Sequence, residues 1–333
     1  MEGDELAGDA ADWLLRELGG KHRSQVLSTL AAVGVADVLQ ERGVCSAADL
    51  AAQAGCELGA LESLLRAAAG MGCLTEPSPG SFSLTPRGEQ LCSDRLGAFA
   101  DFLGSRTQWD AWSRLRDAMR DQDPASPLAR ALGRPLYEHL AADPAAAADY
   151  DAAIDAFTRH EAAQLRGRLD LQGVRAIVDV GGGRGTLLRA LLEQADGARG
   201  VLFDLPHVVD GVRAALPPTI EAVSGDFLEA VPAGGDLYLL KHVLHNWADD
   251  EARRILQHCR DARVEGGRVV VLDAVLAPDN RPDLARMLDL EMRVLCGGRE
   301  RRKPELRRLL QSAGLKIEAA VELAASSLSL IHI

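Results

Sequence analysis

Residues 178–185, Val178-Asp179-Val180-Gly181-Gly182-Gly183-Arg184-Gly185, close one apolar run and lead into the helical TLLRALLEQ. Glycines there let the main chain turn sharply and let a ligand approach it closely at the carboxyl end of a sheet, which suits a nucleotide-type ligand. A dinucleotide fingerprint would read G-x-G-x-x-G. Here the third glycine, Gly185, falls one residue early and Thr186 holds the expected place, so pyrophosphate binding is disfavoured. Two acids extend the pattern. Asp204, in Phe203-Asp204-Leu205-Pro206, ends the next apolar run, where a carboxylate can accept both hydroxyls of a ribose. Asp226, in Gly225-Asp226-Phe227, follows the strand after that and can receive an adenine amino group while Phe227 packs on the ring. Either aspartate alone is more often a cap or turn residue.

Proton chemistry near neutral pH points to histidine. Of the eight in the chain, His245, in Leu244-His245-Asn246-Trp247, stands just past a strand on the ligand side. With His242 it also forms an H-x-x-H pair of the kind that binds metal, but no further histidine or cysteine ligands cluster nearby, and no metal is expected. His207 and His258 read as surface or helix residues.

These side chains need a scaffold. After residue 170, β-rich runs alternate with helical ones: RAIVDVG, GVLFDLP, DLYLLKHVL, GRVVVLDAVL, LKIEAAVEL and LSLIHI. Apolar strands separated by helix-length segments predict an α/β fold with a doubly wound, mostly parallel sheet, and the short link between the last two runs predicts an antiparallel edge pair. Ahead of it, HRSQVLSTLAAVGVADVL within Lys21 to Leu39 has the period of one amphipathic helix or two short ones. Ser46 can cap AADLAAQAG, a second helix runs from Leu58 to Met71, CLTEPSPGSFSLT reads as two strands around a Pro/Gly turn, and TPRGEQL starts a helix. Together they make a winged helix. The expected domains are residues 1–95, the winged-helix unit; 96–170, a helical segment; and 171–333, the ligand-binding unit. The helical segment, broken by Pro124, Pro127 and Pro135, carries most of the bulky aromatics, among them Trp109 and Phe157, which could line a pocket for a flat molecule.

Composition narrows the partners. The 333 residues include 47% hydrophobic and 26% charged, and 37 basic against 49 acidic residues give a net charge of −12. That charge repels phosphate backbones and anionic lipid, and the helix Glu57 to Gly70 that would enter a DNA groove carries Glu57 and Glu62 against Arg66 alone. Neither nucleic acid nor membrane is an expected partner. With no run near the roughly 18 apolar residues of a spanning helix and an acidic start, a cytoplasmic location is expected. The six cysteines are scattered, with no C-x-x-C pair.

VDVGGGRG, FDLPHV, GDF, LLKHVLHNWADDEARRIL and GGRERRKPELRRLLQSAGL, in that order, resemble the small-molecule O-methyltransferases of plants and bacteria, including the caffeate and acetylserotonin types and those that tailor polyketides and phenazines. The resemblance covers nearly the whole chain. It implies S-adenosylmethionine as methyl donor, with S-adenosylhomocysteine as product, and a homodimer intertwined through the front domain. It places Gly181, Asp204, Asp226, Phe227 and Lys241 at the donor, and Asp179, Gly183 and Leu205 stand in the same motifs. It makes His245 the general base toward a hydroxyl of a small aromatic acceptor, flanked by Asp273 and Glu300. A phenol loses its proton near pKa 10, so such a base contributes about 10²- to 10⁴-fold. Asp273 departs from the glutamate common in plant members, and Asn246 from a usual aspartate. Met292 matches a methionine that packs on the acceptor ring, and Trp109, Phe157 and Asn246 complete the expected acceptor contacts. Some relatives on this scaffold are hydroxylases or decarboxylases; His245 with both acids retained argues for methyl transfer.

Overall fold

The computed structural model describes residues 10–120, 125–279, 283–322 and 328–332. Pro124 lies outside them. Two compact units emerge: one reaches Trp109 and includes Ala152–Phe157, and the other holds Asp110–Asp151 and the chain from Thr158 onward.

In the first unit the amphipathic run is two helices, Gly20–Ala32 and Val35–Arg42, because Gly34 between them adopts φ +70. Helix Ala47–Ala54 starts at Ser46, whose hydroxyl accepts the Asp49 N–H, and stops at Gly55 in the left-handed region. Helix Leu58–Gly70 is capped by the Glu57 carboxylate, which accepts the N–H groups of Gly59 and Ala60. Strands β1 (Cys45–Ser46), β2 (Leu74–Ser78) and β3 (Ser81–Leu84) form the wing in the order β1-β3-β2. Leu30, Val35, Leu39, Leu50, Leu61, Leu65 and Phe82 fill the core between them, each worth about 1.5–3 kcal/mol when fully buried. TPRGEQL yields only a 3-10 turn, Gly88–Leu91. Gly88 sits so close to the wing that an added Cβ would meet the Cys73 carbonyl oxygen.

In the second unit the sheet comprises β4 (Ala176–Val180), β5 (Arg199–Asp204), β6 (Ile220–Ser224), β7 (Gly235–Lys241), β8 (Arg263–Leu276), the two-residue β9 (Arg301–Arg302), β10 (Ala319–Glu322) and β11 (Leu328–His332). Its order is β10-β11-β8-β7-β4-β5-β6, with β9 beside β8. The pairings from β6 across to β8 are parallel, and β10 and β11 form the antiparallel edge that the short connection predicts. Alternate residues go to opposite faces. Ile177, Leu202, Leu237, Leu239 and Val270 pack with Leu187, Leu188 and Leu191 on one side. Val178, Val201, Phe203, Tyr238, Leu240 and Val271 pack with Ile255, Leu256, Leu306 and Leu310 on the other. Both faces are covered, which explains the continuous apolar strands.

The prolines of the helical segment start helices as well as separate them. Pro127 and Pro144 occupy first turns after the caps Ser126 and Asp143, where a missing N–H costs nothing. Among the described residues no helix is long and apolar enough to cross a membrane.

One close approach in the first unit is testable. Helices Gly20–Ala32 and Gly97–Leu103 meet where Gln25 Nε2 donates to the Gly104 carbonyl at 2.9 Å, and a Cβ on Gly104 would fall within 2.2 Å of Ser28 Cβ. Gly104→Ala should therefore lower stability by about 1–3 kcal/mol in chemical denaturation, an overpacking cost.

Candidate active site

The turn after β4 is held open by three glycines in the left-handed region: Gly181 (φ 72), Gly183 (φ 55) and Gly185 (φ 73), the last capping helix Thr186–Leu192. The Gly181 N–H donates to the Phe203 carbonyl at 2.8 Å. Asp204 ties the turn to the end of β5, its carboxylate accepting the Gly183 N–H at 2.8 Å and the Leu205 N–H at 2.7 Å. At Gly182 any side chain is excluded, since a Cβ would lie 2.4 Å from Leu202 Cδ1 and 2.8 Å from Asp179 Cγ. Asp179 is buried, and its Oδ2 has no hydrogen-bond partner. Burial, opposed by Lys241 and reinforced by Asp204, pushes its pKa up to about 7. Asp226 accepts the Leu228 N–H at 2.8 Å, an Asx turn that leaves its other oxygen available. Phe227 is fixed from behind by His258 Nδ1, 2.9 Å from its carbonyl, and its ring meets Trp247 edge-on at 5.7 Å.

At the carboxyl end of β7 the chain leaves the sheet through His242, whose φ of 55 is strained for a non-glycine residue. The His242 N–H donates to the Leu272 carbonyl at 2.9 Å, which brings the segment beside Asp273 of β8. A 3-10 turn, Leu244–Asn246, then buries His245. Its Nδ1 lies 2.7 Å from Glu300 Oε1. Glu300 is itself fixed, its N–H donating to Asp289 Oδ1 at 2.9 Å, while the neighbouring Arg299 N–H donates to the His245 carbonyl at 2.8 Å. Gly298 permits this, because a Cβ there would collide with the same carbonyl. Arg301 clamps the turn by donating to the Leu244 and Trp247 carbonyls.

Electrostatics separate the two histidines. For His245 burial works against the charged form, but the Glu300 carboxylate and then Asp273 outweigh it, and its pKa is raised. For His242 burial outweighs the Glu161 carboxylate, and its pKa is lowered. Asp273 is pushed up to about 7 by burial, against the pull of His245, and its Oδ1 has no partner.

Glu161 was not singled out by the sequence reading. It accepts Lys241 Nζ at 3.0 Å and faces His242 Nε2 at 2.9 Å. Burial resists its ionisation, but His242 and Lys241 prevail and hold its pKa at about 2. Its signal was positional: with Thr158, Ala162 and Leu165 it lies on the buried stripe of helix Pro144–Leu165, where an acid requires a partner.

Of the expected acceptor residues, Met292 packs with Ala111, Leu128, Leu136 and Leu140, and Asn246 donates to Tyr137 Oη at 2.8 Å and to the His242 carbonyl at 3.0 Å. Trp109 and Phe157 belong to the first unit, where Phe157 stacks on Phe99 at 4.8 Å. His242, His245 and Asp273 each offer a ligand atom within 4.8 Å of the others, so the H-x-x-H pair has a carboxylate neighbour that linear spacing did not reveal.

Residues 112–316 match the O-methyltransferase domain, and residues 15–94 match the O-methyltransferase dimerisation domain. The chain belongs to the O-methyltransferase family. This O-methyltransferase is 33% identical over 332 residues to the 3-amino-4-hydroxybenzoate 4-O-methyltransferase of Streptomyces cremeus, covering 97% of this chain and 90% of that one. It is also 33% identical over 304 residues to the 8-amino-8-demethylriboflavin N,N-dimethyltransferase of Streptomyces davaonensis, covering 88% and 86%. Among solved structures, a methyltransferase of calicheamicin biosynthesis with S-adenosylhomocysteine bound superposes with a TM-score of 0.84 at 33% identity, over 98% of each chain. The structure of LaPhzM superposes with a TM-score of 0.90 at 30% identity, over 97% of this chain and 98% of that one.

The burial of Asp179 gives a pH signature. Its pKa is raised above the unfolded value, so the folded state binds the extra proton as pH falls, and this group weakens the fold as pH rises from about 4 to about 7. Asp179→Asn should therefore gain stability relative to the wild type between pH 5 and pH 8, by on the order of 1–3 kcal/mol. Parallel denaturant melts at the two pH values measure it.

Proposed function

We propose that this chain transfers the methyl group of S-adenosylmethionine to a hydroxyl of a small aromatic natural product, with His245 as the general base. The donor, when bound, supplies an electrophilic methyl group on a sulfonium centre and leaves as S-adenosylhomocysteine. Its site would be the turn at Gly181 and Gly183 with Asp179, Asp204, Leu205, Asp226, Phe227 and Lys241. The residues suit such a ligand: the turn exposes main chain, Asp204 and Asp226 retain acceptor capacity for hydroxyl and amino groups, and the unpartnered Asp179 oxygen offers a buried acceptor.

The observation that carries the catalytic part is the buried 2.7 Å contact between His245 Nδ1 and Glu300. A carboxylate on Nδ1 fixes the tautomer that leaves the Nε2 lone pair free and stabilises the imidazolium once that nitrogen has taken a proton. Asp273, its pKa pushed up to about 7 by burial, adds negative charge beside the ring once it ionises. Glu300 and Asp273 thus orient and support the base, while Met292 and Asn246 would contact the acceptor. A base of this kind favours oxygen over nitrogen as the methylated atom, because a phenol must lose its proton and an amine already carries a lone pair. The match of residues 15–94 to a dimerisation domain supports a homodimer.

Two experiments test the reading. His245→Gln should reduce turnover by about 10²- to 10⁴-fold while calorimetry shows donor affinity changed by less than about threefold. A large loss of donor binding would instead place His245 at the donor. Light scattering on the intact protein should give the mass of two chains; a monomer would refute the dimer.

A further inference from the structure

Two imidazoles, each backed by its own carboxylate, converge in the second unit. His245 has Nδ1 on Glu300 at 2.7 Å and His242 has Nε2 on Glu161 at 2.9 Å, so each ring turns its other nitrogen away from its carboxylate. The rings stack with centroids 5.0 Å apart and planes 23° from parallel. Asp273, buried at 5% exposure, contributes an oxygen with no hydrogen-bond partner, and one donor atom from each of the three residues lies within 4.8 Å of the other two.

We propose that His242, His245 and Asp273 form a binding site for a divalent transition-metal ion of the zinc or cobalt(II) type. Two imidazole nitrogens and one carboxylate oxygen are the donor set such ions accept, with a fourth position left for water. Metal-binding histidines characteristically donate their other ring N–H to a carboxylate, and Glu300 and Glu161 stand in that position. Charge agrees as well. Glu161, Asp273 and Glu300 bring three carboxyl groups to one buried cluster, against the two fixed cations Lys241 and Arg301. Zinc at bond lengths of about 2.0–2.1 Å holds its ligand atoms roughly 3.3 Å apart, so closure takes shifts on the order of 1 Å from the present arrangement. The strained backbone of His242 is what presents its ring to this cluster.

Binding does not depend on the reading of His245 as a base, but its effect on turnover does. An ion on Nε2 takes the lone pair that would receive the acceptor proton, and any proton already on that nitrogen is released to solvent. The metal is then an inhibitor.

The test uses chelator-treated full-length protein titrated with cobalt(II), followed by visible absorption, and with zinc, followed by calorimetry. Expected are one ion per chain, an intense tetrahedral cobalt band, and affinity at least tenfold weaker in both His242→Ala and Asp273→Asn. Should His242→Ala fail to fold, as judged by circular dichroism, Asp273→Asn carries the comparison. Absence of the cobalt band, or equal affinity in the wild type and the folded variants, overturns the site. Zinc-dependent loss of methyl transfer that a chelator reverses is the expected consequence. Binding as described with turnover intact would leave the site standing and remove the base role from His245.

Discussion

Four carboxyl groups, Glu161, Asp179, Asp273 and Glu300, are each buried to 5% exposure or less in the second unit. An ionised carboxylate in such surroundings is costly unless it is paired or hydrogen-bonded, and the site follows from how each of the four meets that demand. Glu161 is ionised because an ammonium and an imidazole sit on its two oxygens. Glu300 reaches His245. Asp179 and Asp273, each with one oxygen unpartnered, stay protonated until about neutral pH. Glu161 alone of the four has both oxygens partnered; Asp179, Asp273 and Glu300 each keep one buried oxygen without a hydrogen bond. Asp179 stands at the place proposed for a sulfonium-bearing donor, and Asp273 and Glu300 at the place proposed for the base.

The sheet is what makes this burial possible. Because β4, β5, β7 and β8 are covered on both faces, the carboxyl ends of these strands open into a region already largely desolvated. The close contact of Gly298 with the His245 carbonyl and the clamp by Arg301 of β9 then fix the 3-10 turn. Mobility of the imidazole is restricted from three directions: the strand that feeds it, the acid it faces and the loop packed on its backbone.

Much of this was legible in the chain. Continuous apolar runs separated by helix-length segments marked the strands, and four glycines in five positions marked the turn. Ser46 and Gly55 were readable as helix boundaries because a cap is a local hydrogen bond. Long-range pairings were not. Glu161 lies 80 residues from Lys241 in sequence, and nothing in TRHEAAQL announces that its acid points inward, apart from its place on a helical stripe. Asp273 beside His245 came from the family resemblance and not from spacing, because it arrives from a different strand, brought alongside by the main-chain bond between His242 and Leu272. Residues 88–91 show the opposite failure, where a plausible helix start is cut short by a glycine pressed against the wing.

Helix Leu284–Leu295 carries two unrelated duties. Asp289 receives the Glu300 N–H, Glu291 receives the Trp112 indole N–H at 2.7 Å, and Met292 fills the cluster with Leu128, Leu136 and Leu140. Orientation of the acid behind His245 and the shape of the neighbouring apolar cluster thus share a single rod. Any change that tilts the rod moves the acid behind the imidazole and reshapes the apolar cluster together. Helix Leu136–Ala142 is tied to the same 3-10 turn from another side, through the Tyr137 hydroxyl and Asn246.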